Sequence, residues 1–262
     1  MRRAAIFLAA GALVAYTAGC GPRAASRAEP QASEADRAGF LQEPEIIAVV
    51  RGAAGGAVVQ GRARPLGRVR AILPSNEAYG ATADDQGRFA LDLPPSPDGQ
   101  LVTVSAQEGT RSVPAEGWLF LAPGDGGSAA VLRAGAASLN LSPQSGLIGA
   151  ADFDGSGGAA VSGRAVAGAD VRISLDGAQL GQVRADARGH YVLRIDRVAA
   201  GSHRLRVASQ GQAQERTVDF GAPIPPTSRF TAARLADAWR VDWRIPGGGV
   251  QTTLVFVPGA RP

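Results

Sequence analysis

Few side chains in this sequence are of a type or spacing that could do covalent chemistry. His190 and His203 are its two imidazoles, Cys20 is its one thiol, and every basic residue is arginine. Without an ammonium there is no phosphate-loop lysine, no Schiff base and no Ser-x-x-Lys acyl transfer. Zinc wants three or four ligands, and a nucleophilic triad wants a serine on an elbow such as Gly-x-Ser-x-Gly, a pattern missing from the sequence. Asp152-Phe153-Asp154-Gly155 opens like a calcium loop, because carboxylates at alternate positions can chelate a hard cation. The position that should close it with a bidentate Glu is Gly163, so an acidic linker turn is the expectation. Gly155 to Ala160 fits the glycine-rich dinucleotide fingerprint in letters only, since it opens a predicted strand rather than a helix. The expectation is a protein without catalytic residues, metal or cofactor.

The formal charge of +4 and the isoelectric point near 10.1 do not indicate a nucleic-acid partner. Arginine never deprotonates in the relevant range, so the isoelectric point is high even when acids nearly balance bases. Arg172, Arg204 and Arg206 alternate with Val171, Ile173, Leu205 and Val207, the pattern of charges on the watered face of a strand. The basic stripe with interleaved aromatics that reads nucleic acid is missing.

At the N-terminus, Arg2 and Arg3 precede an apolar run from Ala4 to Ala18 that is too short to span a bilayer, then small residues up to Cys20. Thr17-Ala18-Gly19-Cys20 resembles the lipobox of bacterial lipoproteins, with Thr17 in place of the usual Leu. The resemblance implies that residues 1–19 are a signal peptide cut away before Cys20, which becomes acylated, and Gly21 rather than Asp implies sorting to the outer membrane. Several acyl chains on one residue would anchor stably where one binds marginally. Residues 20–44, rich in Pro, Ala, Ser, Glu and Arg, are too polar to offset the entropy of ordering and predict a flexible tether.

The rest of the chain repeats itself at an offset of 102 residues. Val59-Gln60-Gly61-Arg62-Ala63 returns as Val161-Ser162-Gly163-Arg164-Ala165, and Ala83-Asp84-Asp85-Gln86-Gly87-Arg88-Phe89 as Ala185-Asp186-Ala187-Arg188-Gly189-His190-Tyr191. From Val59 to Leu93 the two copies share 11 of 35 positions without a gap, which points to a duplicated domain. Both copies alternate apolar and polar residues in short runs between turn residues, the pattern of an all-β sandwich. Asp84 and Asp186 are placed to accept their own turn's amides. Gly87 and Gly189 can supply a positive φ that returns the chain into the next strand. His190 stands where the first copy has Arg88, an exposed turn position.

These motifs resemble the bacterial immunoglobulin-like and carboxypeptidase-regulatory-like (transthyretin-type) sandwiches, which share the Gly-x-Ala opening, the Ala-Asp-x-x-Gly-x-aromatic hairpin and a later Leu-bearing strand. The resemblance covers Gly61 to Ala106 and Gly163 to Ala208. It implies a fold and no catalytic residue, in modules that act as spacers, adhesive units or assembly platforms.

The fold class expected is therefore all-β, two tandem β-sandwiches plus a C-terminal β-hairpin. A signal peptide occupies 1–19, a tether 20–44, the first sandwich 45–122, a linker 123–158, the second sandwich 159–222 and the hairpin 223–262. Within the linker, Ala129 to Leu141 reads as a short helix or an edge strand. In the hairpin, Trp239, Val241 and Trp243 alternate with arginine and aspartate, so the Trp face should pack on a sandwich or extend a sheet. The function these features suggest is that of a lipid-anchored envelope protein, structural or protein-binding, whose partners are the membrane and an envelope protein or glycan, without nucleic acid. The alternative is a polysaccharide- or peptidoglycan-binding module using Trp239 and Trp243 as its surface.

Overall fold

The computed structural model describes residues 42–52, 55–124, 127–143 and 145–257. The leader, Cys20 and the tether up to residue 41 lie outside the described residues. No helix among the described residues is long and apolar enough to cross a membrane.

In chain order the first ten strands are β1 (Glu45–Arg51), β2 (Ala57–Arg62), β3 (Arg68–Ile72), β4 (Ala78–Thr82), β5 (Arg88–Leu93), β6 (Gln100–Glu108), β7 (Arg111–Pro114), β8 (Trp118–Leu121), β9 (Ala129–Leu132) and β10 (Leu139–Asn140). They form a sheet β1-β2-β5 facing a larger one, β10-β9-β8-β6-β3-β4, with β7 paired to β6. Strict alternation is clearest in β5, where Phe89, Leu91 and Leu93 point inward and Arg88, Ala90 and Asp92 outward. Val49 and Val59 meet Val69, Val104 and Leu119 across the layer to make the first core.

The second ten are β11 (Ala150–Phe153), β12 (Ala159–Arg164), β13 (Asp170–Leu175), β14 (Ala178–Arg184), β15 (His190–Ile195), β16 (Ser202–Ser209), β17 (Gln212–Asp219), β18 (Phe230–Arg234), β19 (Ala238–Arg244) and β20 (Val250–Phe256). A six-stranded sheet, β15-β12-β11-β20-β19-β18, faces a four-stranded one, β14-β13-β16-β17. Phe153, Val161, Ile173, Leu205, Val218 and Leu254 fill the second core between them. The molecule is all-β, two tandem sandwiches with a C-terminal hairpin, and the pairings between its strands are antiparallel.

The duplication is visible in the register. Gly61 pairs with Phe89 across β2 and β5, and Gly163 with Tyr191 across β12 and β15. Both glycines lie beneath the aromatic ring of their partner. A methyl group at Gly61 would strike the Phe89 ring and the Glu45 carbonyl, and one at Gly163 the Leu147 carbonyl and the Tyr191 ring.

One expected boundary needs correction. The stretch 123–158 is no linker: β9 and β10 complete the larger sheet of the first sandwich, and β11 is a central strand of the second. The C-terminal hairpin extends a sheet, as its alternating Trp face led us to expect: β20 pairs with β11 and carries β19 and β18 into the six-stranded sheet. The physical reason is a third core. Leu101, Phe120, Ala130 and Leu132, on the back of the first sandwich, pack against Val241, Trp243 and Val255 on the back of the second. β8 and β9 are thus covered on both faces, so Trp118-Leu119-Phe120-Leu121 and Ala129-Ala130-Val131-Leu132 are continuously apolar and lack the alternation that marks a half-buried strand.

Candidate functional site

Polar chemistry concentrates where the two sandwiches join. β11 turns Ala151 and Phe153 into the second core, so the residue between them, Asp152, faces the first sandwich. It is 3 % exposed. Its Oδ1 accepts from the Ser138 hydroxyl at 2.6 Å, the Thr253 hydroxyl at 2.6 Å and the Gln251 amide at 3.1 Å, and its Oδ2 from the Ser138 N–H at 2.7 Å. Ser138 belongs to the β9–β10 loop of the first sandwich; Thr253 and Gln251 are on β20. All four donors are neutral, and burial pushes the carboxyl above the ordinary carboxylate range, against the lowering effect of those donors.

The network continues outward from that carboxylate. Trp243 donates its indole N–H to Thr253 Oγ1 at 3.1 Å, which orients the Thr253 hydroxyl toward Asp152. Gln251 also donates to the Arg133 carbonyl at 3.2 Å and accepts from the Gly135 N–H at 3.1 Å. Asn140 donates to the carbonyls of Gly149 at 2.9 Å and Phe256 at 2.8 Å. The bonds of Ser138, of Gln251 to Arg133 and Gly135, and of Asn140 tie β10 and the loop before it to the second sandwich, so a polar clasp lies beside the third core.

A second buried acid, Asp242, makes a contrast. Burial would raise its carboxyl, but donors outweigh that and hold it below its ordinary value. These are Arg240 at 2.8 and 3.1 Å, the Thr252 hydroxyl at 2.6 Å and the Ile224 N–H at 3.0 Å. A guanidinium compensates this charge, whereas at Asp152 only dipoles do.

Asp152 and Asp154 do not converge. Asp154 accepts from the backbone and side chain of Ser156 at 2.8 and 2.7 Å, an Asx turn, and among the described residues no three His, Cys, Asp or Glu side chains are grouped to hold a metal ion. Gly155 to Gly158 form a bend, and Ala159 and Ala160 open β12 rather than a helix. Asp84 accepts the N–H groups of Gln86 and Arg88 at 2.9 and 2.8 Å, and Asp186 those of Arg188 and His190, both at 2.8 Å. Gly87 and Gly189 follow with φ of 78° and 81°. His190 is partly buried rather than exposed, and burial, then Arg164, pushes its imidazole down.

Nothing local in the sequence marks the pairing at His203, whose partner lies 27 positions away. Its Nδ1 is 2.6 Å from Asp176 and its Nε2 is 2.9 Å from the Ala199 carbonyl. The bond to Asp176 raises the imidazole above its usual value. With both ring nitrogens engaged by acceptors, the ring has no free nitrogen to take a proton from a serine. Asp176 also accepts the Arg204 N–H, 2.8 Å away, so the group clamps the β13–β14 turn to β16.

The aromatic pair does not form an open platform. Trp243 is 1 % exposed and lies edge to face with Trp118, centroids 5.5 Å apart. Trp239 is half-buried, with the Arg234 guanidinium 5.6 Å above its ring. The strand alternation that places both on one face was legible; that the first sandwich covers this face was not.

No protein-family model matches the chain, and no curated protein matches it. Among solved structures it is similar to the central fibronectin-III array of RIM-binding protein, at 11 % identity over 79 % of this chain and 81 % of that one, TM-score 0.29. It is also similar to the BSP domain of a biofilm associated protein, at 14 % identity over 71 % and 30 %, TM-score 0.25. A third is invasin, a bacterial integrin-binding protein, at 17 % identity over 83 % and 54 %, TM-score 0.24. The chain thus spans less than a third of the biofilm chain and about half of the invasin chain.

Proposed function

We propose that this chain is a lipid-anchored protein of the bacterial cell envelope, held at the outer membrane through Cys20, whose fused sandwiches serve a structural or protein-binding role without turnover. The observation that carries the reading is the junction. The third core and the Asp152 clasp join the sandwiches face to face, so the pair presents its surfaces to a partner in one fixed arrangement at the end of the tether. A hinged pair would serve that purpose poorly. The placement of His203 and Asp176 as a clamp, and of Trp243 inside the junction, supports a scaffold over a hydrolase or a glycan platform.

Two measurements test it. Mass spectrometry of the N-terminal peptide from membrane-extracted protein should find Cys20 at the terminus and carrying acyl groups, and an unmodified or internal Cys20 would remove the anchor from the reading. Capture from detergent-solubilised envelope with the acylated chain should recover a protein at near-stoichiometric yield. Recovery of glycan instead, lost with Trp239→Ala, would replace the protein-binding role with the polysaccharide one.

A further inference from the structure

Scattered exposed apolar side chains are ordinary on a protein surface. Leu66 is a different case. It lies in the loop from β2 to β3, is 71 % exposed, and has a φ of 58°, a left-handed conformation that disfavours any side chain. The sister loop, 102 residues later, has Gly168 at the same place with a φ of 71°. The backbone course is thus common to both copies, and the first copy fills it with leucine although glycine fits without strain and the fold makes little use of the side chain.

The loop is also basic. Arg62, Arg64 and Arg68 flank Leu66 and are exposed, whereas the sister positions hold a half-buried Arg164, Val166 and Asp170. Arg64 reaches across a cleft of about 400 Å³ to Glu108 at 2.6 Å, and Gln42 lines the same cleft. Gln42, the first described residue, therefore lies beside this loop.

We propose that the β2–β3 loop of the first sandwich docks on an anionic lipid surface, with Leu66 entering the headgroup layer and Arg62, Arg64 and Arg68 meeting lipid phosphates. The choice of a lipid partner rests on the anchored-envelope reading; the charge and the strained leucine stand without it. Arginine beside an exposed apolar side chain suits a surface that is charged outside and apolar beneath. Docking there would fix the orientation of the fused sandwiches relative to the membrane.

The test uses the processed chain from residue 20 carrying Cys20→Ser, so that no acyl group contributes, sedimented with vesicles of phosphatidylethanolamine and phosphatidylglycerol or of phosphatidylcholine alone. Binding should favour the anionic vesicles and weaken with added salt. Leu66→Gly should weaken it roughly ten-fold, with a urea midpoint at or above that of the parent because glycine suits the backbone. Arg64→Ser with Arg68→Ser should weaken it by a factor of ten or more at low salt. The proposal is overturned if the parent ignores anionic vesicles, if Leu66→Gly binds within two-fold of the parent, or if Val166→Gly in the sister loop causes the same loss. Failure of the anchor reading is distinct, because it is read from the acyl mass on Cys20 and not from vesicles.

Discussion

Trp118 and Trp243, 125 positions apart in sequence, meet edge to face with centroids 5.5 Å apart, Trp118 on β8 of the first sandwich and Trp243 on β19 of the second. The first is half-buried with the Arg229 guanidinium 5.2 Å from its ring, and the second is sealed. This contact decides the architecture, because it converts the outer faces of two sheets into an interior and makes one body of two duplicated units.

Trp243→Ala should cost about 3–5 kcal/mol, the usual penalty for emptying a large buried aromatic site, and should also leave the Thr253 hydroxyl without its donor. Calorimetry is the check. The parent should unfold in one transition and the variant in two, since each sandwich retains its own core. A variant that still melts as one unit would mean that the coupling lies elsewhere.

Asp152 should make stability fall as pH rises. Its carboxyl titrates above the ordinary value in the folded chain, so between the two values the unfolded chain has lost a proton that the folded chain retains, and stability drops by about 1.4 kcal/mol per pH unit over that window. Asp152→Asn should flatten this slope. It should also cost about 2 kcal/mol at acidic pH, because an amide nitrogen then confronts the donors at Ser138. Urea unfolding at a series of pH values reads both effects.

The His203 clamp works in the opposite direction from an ordinary carboxylate pair. Its pKa is raised in the folded chain by Asp176, so the stabilisation is complete below the ordinary histidine value and is lost as pH climbs through the raised one. Imidazole signals followed by NMR should titrate above the usual range in the parent and return toward it in Asp176→Asn. An unchanged titration in that variant would show that the clamp does not set the charge.

Gly163→Ala should destabilise by about 3 kcal/mol, since the added methyl group meets the Leu147 carbonyl and the Tyr191 ring and the strand cannot move without breaking register. Gly211→Ala provides the comparison: its φ is 78° but nothing lies within 4 Å of the new methyl group, so only the backbone term of about 1 kcal/mol applies. Equal losses at the two positions would refute the close approach at Gly163.

The repeated Asp-x-x-Gly-x-aromatic turns and the inward side of β13 were legible, because each is local and a half-buried strand shows its period of two in the sequence. Segments buried on both faces carry no such signal. Ala129 to Leu132 has no alternation to report, and Asp152 reads as a linker acid until Ser138 and Thr253 are brought against it. Two β-sandwiches and their turns are thus written in local patterns of residues. Their fusion is not, because the side chains that meet in the third core lie more than 100 positions apart and nothing local announces which apolar face will find which.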